Sequence, residues 1–216
     1  MIDRAVGLPV AKEGIPFIAV PAGLTLVSGW GGWTVAAVVG GLVTAFVVWF
    51  FRNPARVIPR DPHLVVAPGD GKVIAIEEEF EPRYLKERAV RVTIFLNVFN
   101  VHINRIPCDG VIEDVQYQPG AFLVASRPEA TLRNEQNALM IRTVEGFKVL
   151  CVQVAGLIAR RIVCWASPQD QAVRGERFGL IRFGSRMDTF LPLGTRLRVA
   201  VGDKVKGGET ILGEFP

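Results

Sequence analysis

The bond between Gly184 and Ser185 carries the most reactive chemistry this sequence offers. It lies in Gly179-Leu180-Ile181-Arg182-Phe183-Gly184-Ser185-Arg186-Met187-Asp188-Thr189-Phe190-Leu191-Pro192, where one β-type run leads in and a second leads out. Gly-Ser pairs are common, and a tight turn holding a serine accounts for the dipeptide taken alone. A serine hydroxyl beside the preceding carbonyl can also attack it, giving an ester by N-to-O acyl shift. Glycine on the carbonyl side removes the crowding of a Cβ. Such a step needs a base for the hydroxyl proton and donors for the oxyanion, as in any acyl transfer. Loss of the serine α-proton then expels the ester by elimination. The dehydroalanine left behind hydrolyses to ammonia and a pyruvoyl cap.

Groups that can move protons are few. Only two histidines are present, His63 and His102. His63 adjoins Pro62 in a linker and reads as incidental. His102 sits between Val101 and Ile103, so it is either a satisfied core histidine or the group that titrates near neutral pH. Asp70 precedes a glycine and is either a turn residue or an acid at the site. Arg186 and Asp188 are either a surface pair or part of a pocket. Two histidines, together with Cys108, Cys151 and Cys164 in no CxxC spacing, predict no metal centre and no disulfide framework. A reducing, cytoplasm-facing domain follows from that cysteine usage.

Charge narrows the partners. The chain has a formal net charge of +4 and a pI near 9.2. Nineteen of its 25 basic residues are arginine, whose fork of donors grips oxyanions where lysine is a point charge. The arginines are scattered among strand-like runs without aromatic interleaving, which disfavours nucleic acid. An anionic lipid headgroup or membrane surface fits better.

Apolar residues are unevenly spread. Residues 15–51 contain no charge, and this stretch raises mean hydropathy to +0.31. Gly29, Gly31 and Gly32 divide it into apolar pieces at 17–27 and 34–51, the second long enough by itself to cross a bilayer of about 20 residues. Arg4 and Lys12 precede the stretch, and Arg52 and Arg56 follow it. Residues 1–53 therefore read as a membrane anchor, either one span or a helical hairpin. Pro54, Pro59 and Pro62 mark a linker, and residues 54–216 form the second domain. That domain should be mostly β (α+β), a sandwich or barrel, with strands near 72–77, 90–96, 111–117, 138–143, 148–154, 180–183, 189–191 and 197–201. A short helix is expected near 128–136. The Gly-Asp turn entering a strand at Gly69-Asp70-Gly71-Lys72-Val73 is echoed at Gly202-Asp203-Lys204-Val205. The tail from Val201 to Ile211 looks like a hairpin of biotinyl- and lipoyl-type sandwiches.

Four ordered segments add a resemblance that covers most of the chain after about Pro59. The Phe183-Gly184-Ser185-Arg186 stretch resembles the self-processing site of phosphatidylserine decarboxylases. It is closest to their short branch, which has Phe-Gly-Ser-Arg where longer relatives have Leu-Gly-Ser-Thr. Ala67-Pro68-Gly69-Asp70-Gly71-Lys72-Val73 resembles the family's Asp-Gly loop. Asn97-Val98-Phe99-Asn100-Val101-His102-Ile103-Asn104-Arg105-Ile106-Pro107-Cys108-Asp109-Gly110 is similar to its histidine segment, and Asn134-Glu135-Gln136-Asn137-Ala138 to an Asn-Glu-x-Asn run. The resemblance implies Asp70 and Ser185 as processing residues. Longer relatives carry two histidines three positions apart; the first falls on His102 and the second on Arg105. Either His102 is then the base for processing, or Asp70 acts on Ser185 more directly.

The same resemblance implies a proenzyme that self-cleaves into chains 1–184 and 185–216, which stay together as a heterodimer. Its cofactor is the pyruvoyl group made from Ser185, with no metal. The group forms a Schiff base with phosphatidylserine in the bilayer, CO₂ is lost, His102 protonates the carbanion, and phosphatidylethanolamine is released. By charge, Arg105 or Arg186 would hold the substrate phosphate or carboxylate, and phosphate is favoured because a strong grip on the carboxylate opposes CO₂ loss. The location implied is the cytoplasmic face of the cell (inner) membrane. Three rivals stand beside this: an anchored, non-enzymatic biotinyl/lipoyl-type adaptor, a membrane serine hydrolase using Ser185, and a pyruvoyl enzyme acting on a soluble amino acid.

Overall fold

The computed structural model describes residues 9–121, 133–156, 161–182 and 185–216. The chain divides into two compact units. One covers Ala5–Ala55, and the other runs from Arg56 to Pro216 and includes the first four residues.

The first unit is a pair of antiparallel helices, α1 (Ile15–Trp30) and α2 (Thr34–Phe50). The break falls where the glycines are. Gly32 adopts φ +75°, a left-handed conformation that suits glycine, and Trp33 N–H donates to the Ser28 carbonyl at 2.9 Å. The helices approach closely at Gly40, where any Cβ would run into Thr25. At the open end Ala11 N–H donates to the Phe51 carbonyl, Asn53 N–H donates to the Pro9 carbonyl, and Phe17 stacks on Phe51. These bonds pull the chain out of helical geometry at Phe51.

The expectation that 34–51 alone can cross a bilayer is therefore corrected. With 16 and 17 residues, the helices are about 24 and 26 Å long, short of a hydrocarbon core of about 30 Å. Among the described residues no helix is long and apolar enough to cross a membrane. Apolar side chains remain exposed all round the pair, Trp30 at 94% and Val35 at 79%.

The second unit is mostly β, as its alternating apolar runs require. Its largest sheet has eight antiparallel strands in the order β13-β2-β3-β11-β7-β6-β5-β9. These are β2 (Gly71–Glu81), β3 (Glu87–Leu96), β5 (Gly110–Gln118), β6 (Gln136–Arg142), β7 (Lys148–Ala155), β9 (Gln171–Ala172), β11 (Ser185–Pro192) and β13 (Lys204–Val205). Two three-stranded sheets complete it. One joins β1 (Leu64–Val66), β14 (Ile211–Glu214) and β12 (Arg196–Leu197); the other joins β4 (Ile103–Arg105), β10 (Arg177–Ile181) and β8 (Ile162–Cys164). The main core draws on all three sheets, packing Val65, Leu212, Phe178 and Ile181 against Ile94, Met187, Cys151 and Ile141. This is sandwich packing, with the two small sheets sharing a core with one face of the large sheet.

Three expectations change. The strand expected at 197–201 stops at Leu197, and the chain turns with Val201 exposed. Most of the helix expected at 128–136 lies outside the described residues. In its described end Arg133 is helical, but Asn134 already bridges Ala121 and Gln136 opens β6. The tail is not a local hairpin: β13 joins the edge of the large sheet, while β14 pairs with β1 and β12. The repeated Gly-Asp turns explain this, because they pair with each other. Lys204 lies opposite Lys72 and Val205 opposite Gly71, while Val73 N–H donates to the Asp203 carbonyl and Gly202 N–H to the Val73 carbonyl.

Candidate functional site

Ser185 is the first residue of β11, in the middle of the large sheet. Leu96 of β3 faces it on one side and Ala155 of β7 on the other. The preceding strand, β10, belongs to a different sheet. The expected scissile bond thus falls directly before the first residue of β11. Gly184 itself lies outside the described residues. Side chains alternate along a strand, so Ser185 shares its face with Met187, Thr189 and Leu191. Ser185 has no exposure, and among the described residues its hydroxyl has no hydrogen-bond partner. A buried hydroxyl left unpaired costs about 1–3 kcal/mol.

His102 lies where β4 meets the end of β10, its carbonyl accepting from Ile181 N–H. That places it across from the residue four before Ser185. The ring is 2% exposed, and Nδ1 is 3.0 Å from the Asn100 carbonyl. A carbonyl only accepts, so Nδ1 carries the hydrogen, and in the neutral ring Nε2 holds the basic lone pair.

Asp70 stands at the turn into β2. Arg56 Nη2 donates to both its oxygens, at 2.9 and 2.8 Å, and Gly207 N–H donates to Oδ1 at 2.8 Å. Its hydrogen bonds therefore go to Arg56 and to the tail. The structure does not join Asp70 to His102 or Ser185 by a hydrogen bond. Gly207 is required for this approach, since a Cβ there would lie 3.0–3.2 Å from the backbone of Gly69. The Arg56 clamp was not foreseen, because in the sequence that residue reads only as a charge flanking the apolar segment.

Arg105 is 8% exposed and donates to the Gly175 carbonyl at 2.8 Å, while its N–H donates to the Pro68 carbonyl. Burial first, then repulsion from Arg56 and Arg177, pulls its guanidinium down to about 10, against the opposing pull of Asp70 and Glu209. Three guanidiniums thus share a region with two carboxylates. Arg186 has a different place. It follows Ser185 and so projects to the opposite face of β11, where it pairs with Asp188 at 2.8 Å. Asp188 borders a small pocket on that face with Glu79, Tyr84, Gln136, Val152 and Phe190.

Sequence reasoning also missed a buried amide chain. Asn137 Nδ2 donates to Gln153 Oε1 at 2.9 Å, and Gln153 Nε2 donates to Asn104 Oδ1 at 2.8 Å. Gln153 is a single polar residue inside the apolar run of β7, which is the one signal that could have found it. The 134–137 segment also braces the serine's neighbour: Asn134 Nδ2 donates to the Ala155 carbonyl at 2.7 Å, and Ala155 N–H to the Glu135 carbonyl. The three cysteines are free, and burial pushes the Cys108 and Cys151 thiols far up. Among the described residues no three His, Cys, Asp or Glu side chains gather to hold a metal ion.

Comparison with known proteins bears on the chain as a whole. The sequence pattern of the phosphatidylserine decarboxylase family matches residues 43–213. Similar proteins called phosphatidylserine decarboxylase proenzyme occur in Syntrophus aciditrophicus, at 48% identity over 95% of this chain and 97% of the relative, and in Geotalea uraniireducens, at 50% over 96% and 97%. Another, from Nitrosomonas eutropha, is 51% identical over 95% of both chains. The chain belongs to the phosphatidylserine decarboxylase family. This membership does not favour an adaptor or a serine hydrolase.

Proposed function

We propose that this chain is a phosphatidylserine decarboxylase proenzyme that cuts itself between Gly184 and Ser185, converts Ser185 to a pyruvoyl group, and releases CO₂ and phosphatidylethanolamine from phosphatidylserine. The observation that carries this reading is the placement of Ser185. Its hydroxyl is fully buried, without a partner among the described residues, at the first position of a central strand of the large sheet. An ordinary structural serine buried this deeply is hydrogen-bonded. The same position suits a small planar carbonyl cap, which has no hydrogen to place.

The pyruvoyl carbonyl supplies an electron sink for decarboxylation, the role a pyridoxal cofactor fills elsewhere. The chain's own residues do the rest. His102, with Nδ1 fixed on Asn100, presents Nε2 as the group that moves protons. Asp70, clamped by Arg56 at 2.8 Å, supports the processing end of the site. The guanidinium excess around Arg105 favours the headgroup phosphate there. Arg186 is committed to Asp188 and stands on the other face of its strand. The hairpin of α1 and α2, apolar all round and with Trp30 and Trp33 at its turn, embeds in the bilayer from the cytoplasmic side. Residues 1–184 and 185–216 remain a heterodimer after the cut.

Intact-mass measurement of purified protein tests the core of the proposal. Two chains are expected, the smaller of 32 residues and blocked at its N-terminus. Ser185→Ala should yield one uncut, inactive chain. Active wild-type protein that remains whole would sink the pyruvoyl reading.

A further inference from the structure

The strand ends around Ser185 gather into one rim. Leu96, the last residue of β3, is its register partner on one side, and Ala155, the last of β7, on the other. Ala155 N–H donates to the Glu135 carbonyl, and Ile162 N–H, at the head of β8, donates to Glu135 Oε1 at 3.3 Å. Ile162 lies opposite Ile181, the last residue of β10, and just beyond them Arg182 N–H donates to the Arg161 carbonyl. The described segments that leave these ends are 97–100, 133–135, 161 and 182.

The first of them carries an apolar tip. Asn97 N–H donates to Asn100 Oδ1 and Phe99 N–H to Asn97 Oδ1, both at 2.9 Å, and Asn100 N–H closes the turn on the Asn97 carbonyl at 3.0 Å. Both asparagine oxygens are thus spent on fixing the backbone, as in other Asx turns. Between them stand Val98 and Phe99, and Phe99 is 66% exposed. Charge on the rest of the rim is positive. Arg133 and Arg161 are exposed and Arg182 is half-buried, while Glu135, the one acid among these described residues, is buried. Tyr117, 59% exposed, bonds Glu135 through its side chain and lies in the field of Arg161. Exposed rings beside guanidiniums suit a membrane interface, where rings settle at headgroup depth and cations meet anionic lipid.

We infer that the Asn97–Asn100 turn is a docking tip for an anionic lipid surface, with Phe99 entering the interface and Arg161 lying among the headgroup phosphates. A protein partner would need a face of about 800 Å² on this side. A single ring with like charges behind it instead suits a fluid, anionic surface that closes around it. The tip is a lipid contact additional to the helical hairpin. The same turn holds the histidine, because the Asn100 carbonyl is the group 3.0 Å from His102 Nδ1. Docking therefore sets the depth of His102 and Ser185 relative to the headgroups. This inference deepens the lipid-substrate reading and rests on it.

The test begins with a probe at the tip. Phe99→Cys is labelled with an environment-sensitive fluorophore in the full chain carrying Ser185→Ala and Cys164→Ser; Cys108 and Cys151 are buried. With vesicles of phosphatidylglycerol and phosphatidylcholine, emission should shift to the blue and be quenched by bromine on the lipid chains. Arg161→Glu, or high salt, should shrink the shift. Emission that does not move, or that moves equally with wholly zwitterionic vesicles, overturns the inference. Activity gives a second arm. Phe99→Asp, purified as cut enzyme, is assayed on phosphatidylserine in vesicles and on a short-chain phosphatidylserine dissolved as monomers. The ratio of vesicle to monomer kcat/KM should fall about 10-fold or more. Equal loss on both substrates, or loss on neither, overturns the inference. If this variant fails to mature, the labelled Ser185→Ala chain, which needs no cut, carries the test. Wild-type protein that decarboxylates neither form of phosphatidylserine would defeat the substrate reading instead, and the fluorescence would still decide the docking.

Discussion

Arg56 and Asp70 form a close charge contact, with side chains 6% and 14% exposed. Removing one member of such a pair leaves the other without compensation in a partly dry place. Arg56→Met should lower stability by about 3 kcal/mol, measured by urea unfolding of the uncuttable Ser185→Ala chain. Adding Asp70→Asn to Arg56→Met should restore part of the loss, because the stranded charge is gone; a double-mutant cycle reads the coupling. Glu79 gives a pH-dependent test on the reverse face of the sheet. Burial, opposed by Arg91 and reinforced by Glu77, Asp188 and Glu81, pushes its carboxyl above the ordinary range. The unfolded chain then ionises first as pH climbs, so stability present below about pH 4.3 is lost on the way up through the higher folded value. Glu79→Gln lacks this loss. Its melting temperature should gain on wild type as pH rises from 4 to 7, and a gap that shrinks instead would contradict the shift.

The strands place these residues, and one glycine shows how little slack they leave. A Cβ at Gly179 would strike the Val163 carbonyl and come within 2.9 Å of Gln153 Nε2. Gly179→Ala should therefore push β8 away, displace the Gln153 amide, and cost about 1–3 kcal/mol, seen as an earlier thermal transition. Much of the strand pattern was legible in the chain itself. Alternating apolar residues foretold β3, β5, β6 and β7, whereas the echo between the Gly-Asp turns was visible without its pairing of β2 with β13. The short strands β1, β4, β8 and β14 were not legible, because three or four residues carry no periodicity of their own and are ordered by their partners. Ser185, His102 and Asp70 stood out by chemistry and resemblance. Asn104 and Gln153 did not, since an amide inside a strand gains meaning only when its neighbours in space are known. Arg186 misled for a related reason: adjacency along a strand separates two side chains onto opposite faces.

On the scale of the whole chain, residues 185–216 are not an appendage. They supply β11 to the middle of the large sheet, β13 to its edge, and β12 and β14 to a second sheet. Cut protein should therefore co-elute as one species in native size-exclusion chromatography and separate into its two pieces only in denaturant. The helical hairpin makes a prediction of its own. Three of the four tryptophans, Trp30, Trp33 and Trp49, belong to it. With anionic vesicles of brominated lipid, the emission of these three should be quenched while Trp165 is spared; unchanged emission would argue against insertion. The apolar piece at 34–51 became a helix of nearly that extent, Thr34–Phe50; the misjudgement was to count that length as enough to cross a bilayer.

The interleaving of β11, β13 and β14 with strands from early in the chain also sets an order of events during synthesis. A ribosome delivers the apolar hairpin first and the strands that complete the sheets around Ser185 last. A half-made chain lacks β11 to β14 and so has no closed core. On the reading proposed above, self-cleavage would therefore wait until the last strands have been made.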